Sequence, residues 1–506
     1  MSNTLEAINQ DFEEEFHLFF QKSELVQGPL NQRSKKFDLI ISKQFKKLRL
    51  DDEFAIVALG GYGRNELFPG SDIDLSIIQL VKNPSKLEEV GNFIAWLWTL
   101  NVKIGHSVRT IKDIEKITKT DLKEFTSHLS HRIIFCHPLQ KSNLTKALSR
   151  LSQGWSKSKF YKAKKLEQLQ RFASFDSTEF SLEPDLKESP GCLRDFQTAL
   201  WILEHCFEVK NLMDCSKLNL FSKKYLYSIN ESYCHIKCLR FLLNLNANSN
   251  RISFEHQLLL AKKSKLKDSK KSSAVENFMR IFFLHAANLS DFNEMVFQAY
   301  EDQGITLKRP YTNNFYIFRD RIGIQRRVDL CAKPELVLEG FLQIGKLKNI
   351  NGFDFESMKK IREAVSRIDP KFFLSQEAGN QFINILKSRT SLSTILKKMK
   401  QLGILKLLIP EFGVIEGQMQ FDMFHIYSVD EHTFKVVRNM RQMQIGQTDG
   451  SMRIEQELIN KLPKIELLYL AGIFHDLGKG KGGDHSEIGE RIVTKFCKRL
   501  SFSIHD

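Results

Sequence analysis

The stretch FAIVALGGYGRNELFPGSDIDLSIIQL, residues 54–80, constrains this chain more than any other segment. Residues 55–59 form a short apolar run that reads as a strand. Gly60, Gly61 and Gly63 then break it, because glycine supports the tight turn that a bulkier residue resists. Residues 72–80 alternate polar and apolar side chains and read as a second strand. Period two puts Asp72 and Asp74 on the same face of that strand. A helix over FIAWLWTL and a third strand over residues 102–108 follow. From about residue 120 to 420 the apolar spacing is mostly three and four, which predicts helices. One interruption, residues 311–335, alternates enough to suggest a small hairpin.

Two carboxylates this close repel one another unless a cation lies between them. Mg²⁺ is the natural choice, since it takes hard oxygen ligands and bridges substrate phosphates. The backbone amides of Gly60 and Gly61 could cradle a triphosphate. Ser71 could donate to a phosphate, and Arg64 could serve as a phosphate ligand or a structural one. Together these are the parts of a nucleotidyl-transfer site, with Asp72 and Asp74 catalytic and metal-binding.

The pattern resembles the nucleotidyltransferase superfamily that includes DNA polymerase beta and the CCA-adding enzymes. More closely, GGYGRNELFPGSDIDL is similar to the signature of bacterial PII uridylyltransferases, and GHSVRT at residues 105–110 matches that family's wording. Superfamily members add a third carboxylate on a later strand. The third strand here carries His106 and no acid, which leaves Asp121, Glu183 and Asp185 as candidates. The segment EPDLKESPGCLRD, residues 183–195, resembles the family's linker motif, with Cys192 where the family has a second glycine. A left-handed backbone at Cys192 would cost roughly 1 kcal/mol. Lys187 and Arg194 of this loop could meet phosphates or a base carbonyl.

The C-terminal region carries His, Asp and Glu at helical spacings. His475 and Asp476 end an apolar helix, and His425 and His432 share a face if their helix is continuous. Imidazole and carboxylate ligands suit Mn²⁺, Fe²⁺ or Zn²⁺. The string from His432 through HDLGKG to His485 resembles the HD phosphohydrolase superfamily. The resemblance makes His432, His475 and Asp476 metal ligands, with Lys479 and His485 near a substrate phosphate or a second metal. HD domains add a distal aspartate, for which Asp484 and Asp506 are the acids at hand. The expectation is therefore a partial, truncated HD domain with impaired uridylyl-removing activity. The family's ACT-type regulatory domains are expected to be absent, and with them any response to glutamine.

At 506 residues the chain suggests about three or four domains. Hydrophobic residues at 42% and charged residues at 27% exclude a disordered or fibrous protein. The formal charge of +15 favours anionic partners without naming one. Eight cysteines with no CxxC pair argue against a cysteine-held zinc or iron–sulfur site and fit a reducing compartment. The acidic first residues lack a signal peptide's apolar core, and no apolar run reaches 18 residues, so a cytoplasmic protein without membrane spans is expected.

The expected architecture is α+β. It comprises an N-terminal helical region (1–50), a mixed-sheet nucleotidyltransferase domain (51–150), a mainly helical extension and linker region (151–420) and a partial all-α HD domain (421–506). The resemblance implies transfer of UMP from UTP to a tyrosine of the nitrogen-regulatory PII protein, with pyrophosphate leaving. One alternative is a CCA-adding or polyadenylating RNA enzyme, against which residues 60–74, 105–110 and 183–195 argue. No aromatic stacking platform interleaved with arginines is visible either, so nucleic acid is not the expected partner. A further alternative is a non-catalytic fragment that binds PII.

Overall fold

The strand β1, Phe54–Ala58, is buried along its whole length, and the first layer of the fold is built around it. A computed structural model of the chain describes all residues except 1, 83, 101, 176–180, 270–271, 305–307, 389, 391, 420–426, 447–452, 480–484 and 504–506. It divides into two units. The first takes residues 1–179, 183–265 and 288–293, and the second residues 180–182, 266–287 and 294–506.

In the first unit β1 pairs antiparallel with β2 (Ile73–Gln79) and with β4 (Arg132–Phe135). Strand β2 pairs parallel with β3 (Ile104–Thr110), giving the order β3-β2-β1-β4. The sheet is mixed, as the α+β reading requires. The two expected strands of the aspartate segment and the third one lie within two residues of their predicted positions; β4 was not foreseen.

Successive residues of β1 point to opposite faces and feed two separate cores. Phe54, Ile56 and Ala58 pack with Ile73, Leu75 and Ile77 of β2 and with Phe37, Ile41, Phe45, Val90, Phe93 and Leu97. The first three helical residues come from Gln27–Lys47, and the last three from Leu87–Trp98, the crossover that a parallel β2–β3 pair needs. Ala55, Val57 and Leu59 pack on the other face against Ile114, Leu144, Leu148 and Leu151. The helices Lys157–Ala173, Leu193–Phe207 and Lys223–Ala247 complete the unit. Each of the first and third starts at a serine whose hydroxyl accepts a backbone N–H, Ser156 and Ser222.

The second unit is helical apart from a small antiparallel sheet, β5 (Arg309–Pro310), β6 (Phe315–Phe318) and β7 (Arg321–Ile324). The expected hairpin is β6–β7, in the first half of the segment that suggested it. Toward the C-terminus lie the helices Val429–Gln444, Ile465–Phe474 and His485–Arg499. No helix among the described residues is long and apolar enough to cross a membrane.

Candidate active site and candidate metal centre

Asp72 stands one residue ahead of β2, and Asp74 is its second residue. The Ile73 N–H donates to the Lys103 carbonyl at 2.8 Å, so pairing with the β3 side already begins between the two aspartates. Ile73 and Leu75 are buried in the core, which turns both carboxylates the other way, as period two predicts. Both line a cleft of about 630 Å³. Burial, and then the neighbouring Asp72 charge, raise the Asp74 carboxyl above its ordinary range, while Lys187 pulls it back.

Two glycines make room for that carboxylate. Gly105 sits directly across the parallel pair from Asp74, and a Cβ there would lie 2.5 Å from Asp74 Oδ1. Gly60, at φ +54°, begins the turn after β1, and a Cβ on it would stand 3.6 Å from Asp74 Oδ2. The carboxylate therefore occupies a cradle that side chains would fill. The chemistry of a like-charged pair beside that cradle suits a divalent cation, which Asp72 and Asp74 would hold.

Gly60, Gly61, Arg64, Ser71, Lys187 and Arg194, the expected nucleotide-binding residues, all line the same cleft as the two aspartates. Their electrostatics differ. Arg64 Nε donates to Glu66 Oε2 at 2.9 Å, and Glu66 also accepts from Tyr233 Oη at 2.6 Å with Lys237 Nζ at 3.6 Å. Burial would raise Glu66, but Arg64 and Lys237 keep it below the usual carboxylate range. Arg64 is thus committed to a buried network, which favours its structural role. Arg194 is held by Glu188 through Nε at 3.3 Å and Nη2 at 3.0 Å, with Gln197 Oε1 accepting from Nη1. Among the described residues Lys187 has one carboxylate in ion-pair reach, Glu188 at 3.9 Å. Burial first, and then Arg194 and Arg240, lower its ammonium.

None of the three candidates for a third carboxylate lines the cleft. Asp121 caps the helix Leu122–Leu129, accepting the N–H groups of Lys123 and Glu124. Glu183 accepts the Phe254 N–H and pairs with Arg251 at 2.8 Å. Asp185 accepts the N–H groups of Lys187 and Glu188, both at 2.8 Å. Asp121 and Asp185 satisfy local backbone donors, and Glu183 serves a donor far along the chain. The acids that do line the cleft beside the pair, Glu66, Glu167 and Glu188, carry a basic partner each, in Arg64, Lys164 and Arg194.

The loop before the helix Leu193–Phe207 is tied down on every side. Leu186 N–H donates to Asn250 O at 2.8 Å and Asp185 N–H to Ser189 Oγ at 2.8 Å. Cys192, the helix N-cap, has φ −101° and an extended backbone; the left-handed residue is Gly191, at +75°. The strain expected of Cys192 is therefore absent, and its buried side chain simply fills space. Asp195 is wholly buried, pairs with Arg171 and accepts the Gly191 N–H at 2.7 Å.

In the second unit the ligand atoms of His432, His475 and Asp476 all lie within 4.8 Å of one another. Ser428 caps the helix that carries His432, so that helix begins after residue 425. His425 itself lies outside the described residues, as do Asp484, Asp506 and the side chain of His485. His475 Nδ1 faces the Gly472 carbonyl at 2.8 Å, which fixes Nδ1 as the donor, and Nε2 faces Asp476 Oδ2 at 3.2 Å. Burial opposes the ionised form of Asp476, yet hydrogen bonds from His475 and from Lys479, at 2.9 Å, bring it down to about 2. The Asp476 contact raises His475 in turn. Two imidazoles and an ionised carboxylate, one from the helix Val429–Gln444 and two from the turn after Ile465–Phe474, fit a divalent transition ion.

Sequence reasoning missed Lys103, Lys123 and Arg240, which line the first cleft. Lys103 had a signal, since it stands directly before the GHSVRT strand. Arg240 had none, being one basic residue among several on a long helix.

The family model described as GlnD PII-uridylyltransferase covers residues 159–297, the uridylyltransferase GlnD third domain covers 315–407, and the HD domain covers 429–504. Among curated proteins, the bifunctional uridylyltransferase/uridylyl-removing enzyme of Nitrosococcus oceani is 34% identical over 88% of this chain and 51% of its own length. The corresponding enzyme of Acinetobacter baylyi is 31% identical over 99% of this chain and 58% of its own length. That of Azotobacter vinelandii is 32% identical over 95% and 54%. The chain spans about half the length of the curated relatives it matches. In the content and order of its domains, the chain belongs to the uridylyltransferase/uridylyl-removing family.

Proposed function

We propose that the first unit transfers UMP from UTP to a tyrosine hydroxyl of a PII signalling protein, in the cytoplasm. The tyrosine oxygen forms a bond to the α-phosphorus, the bond from that phosphorus to the β-phosphate oxygen breaks, and pyrophosphate leaves. The hydroxyl proton passes to water. The observation that carries this reading is the Asp72–Asp74 pair lining the same cleft as the glycine turn and a basic wall. Mg²⁺ held by Asp72 and Asp74 would offset charge on the transferring phosphate. The chain's own contribution is to fix both carboxylates, keep Gly105 and Gly60 clear of them, and present basic groups to the triphosphate.

The test offers labelled UTP, ATP and CTP to the purified chain, with PII protein and tRNA supplied separately. Label from UTP on PII is the expected result. Label on tRNA, or on neither acceptor, would overturn the reading. Gly105→Ala is expected to lower PII labelling by about 10²-fold, because its methyl group displaces the Asp74 carboxylate. Labelling within threefold of the unaltered chain would show that the cradle is not needed.

We also propose that His432, His475 and Asp476 hold a divalent ion, the family's site for removing UMP from uridylylated PII. There a water oxygen bonds to phosphorus and the tyrosine oxygen leaves. Direct Mn²⁺ titration of the full chain should show His475→Ala binding at least about tenfold more weakly, as one of three ligands is lost. Equal affinity for the two proteins would remove the site from consideration.

A further inference from the structure

Six basic side chains line the first-unit cleft: Arg64, Lys103, Lys123, Lys187, Arg194 and Arg240. Two are spoken for, Arg64 by Glu66 and Arg194 by Glu188. Arg240 is different. Among the described residues no carboxylate lies within ion-pair distance of it, and Glu66 and Asp185 act on it only from farther away. Its guanidinium lies over the Phe68 ring, 4.3 Å from the centroid, and its Nε donates to Asn250 Oδ1 at 2.8 Å. Among the described residues, neither Nη group has a protein acceptor. Burial draws Arg240 down to about 10, so it still carries its proton at neutral pH.

A half-buried cation with no carboxylate in ion-pair reach among the described residues gains from an anion that supplies the charge. The geometry is suited to an anion. The Phe68 ring and the Nε bond to Asn250 together restrain the guanidinium, and the two Nη groups remain as a fork, the arrangement that takes phosphate oxygens in pairs. Asn250 also couples Arg240 to the loop that carries Lys187. Its side chain accepts from Arg240 while its carbonyl accepts the Leu186 N–H at 2.8 Å. Lys187 is close enough to feel both Arg240 and, on the other side, Asp74.

We propose that Arg240, with Lys187 set beside it through Asn250, binds the polyphosphate of the nucleoside triphosphate, and that Arg64 and Arg194 hold the walls of the cleft instead. The assignment rests on the nucleotidyl-transfer reading for its substrate, but the anion site can be tested without turnover. Inorganic tripolyphosphate is titrated calorimetrically into the full chain, the Arg240→Met variant and the Arg240→Lys variant, with thermal melting of each protein alongside. Arg240→Met is expected to bind tripolyphosphate at least about tenfold more weakly, the scale of one lost charge-assisted contact. Arg240→Lys, which keeps the charge and loses the fork, should fall between. The same order is expected for the KM of UTP. Tripolyphosphate affinity within twofold of the unaltered chain in both variants would overturn the proposal. Weakened tripolyphosphate binding in a chain that does not turn over UTP would uphold the anion site and reject the uridylyl reading. If Arg240→Met does not fold, the Arg240→Lys comparison decides.

Discussion

Asp74→Asn is expected to lower PII uridylylation at least about 10³-fold, on the order of 4 kcal/mol of transition-state stabilisation. The substitution removes one negative charge and almost no volume, so the loss reports charge rather than shape. Its effect on folding should be of the opposite sign. Burial and Asp72 both disfavour the ionised Asp74. Replacing it with a neutral amide relieves that repulsion, and without added metal the melting temperature should hold or rise. The combination separates a catalytic carboxylate from a structural one, which would lose stability and activity together. Labelling by the Asp74→Asn protein within tenfold of the unaltered chain, with Mg²⁺ in excess, would take the pair out of the reaction. Asp72→Asn should follow the same course, because the two carboxylates share one face and one cleft.

How far the sequence carried depends on what kind of information each feature needs. Strands β1 and β2 and the paired aspartates were legible because alternation and glycine breaks are local. Strand β4, Arg132–Phe135, is four half-buried residues at the edge of the sheet and leaves almost no alternation to read. The third-carboxylate candidates failed for a local reason. Asp121 and Asp185 stand where a carboxylate serves the nearest backbone N–H groups, Asp121 as a helix cap and Asp185 in a turn. Strain at Cys192 depended on that position having the positive φ that a glycine permits. The chain makes its left-handed turn one residue earlier, at Gly191. Arg64 and Arg194 were picked out as cleft cations, and they do line the cleft. What the sequence could not supply is that Glu66 and Glu188 pair with them, or that Arg240 arrives from a distant helix with no such partner among the described residues. Pairing of charges is a property of the packed structure, and it decides which cations remain for a ligand.

Asp195→Ala is expected to destabilise the first unit by about 3–5 kcal/mol, the range for removing one partner of a buried ion pair. Asp195 is wholly buried, and Arg171, its partner, is 11% exposed. The substitution would strand the Arg171 charge and leave the Gly191 N–H without its acceptor. Arg171 also donates to the Glu188 carbonyl at 2.6 Å, so a displaced Arg171 releases the middle of the loop as well. Hydrogen exchange over residues 183–195 should therefore rise well beyond that of β1 and β2. Uridylylation should fall with it, since Lys187 and Arg194 lose their footing at the cleft. The charge argument has its own control. Arg171→Met combined with Asp195→Leu removes both ends of the pair, and this double variant should be more stable than Asp195→Ala alone. A urea midpoint for Asp195→Ala equal to that of the unaltered chain would show that the buried pair does not hold the loop. A double variant less stable than either single one would show that packing, rather than the stranded cation, dominates the loss.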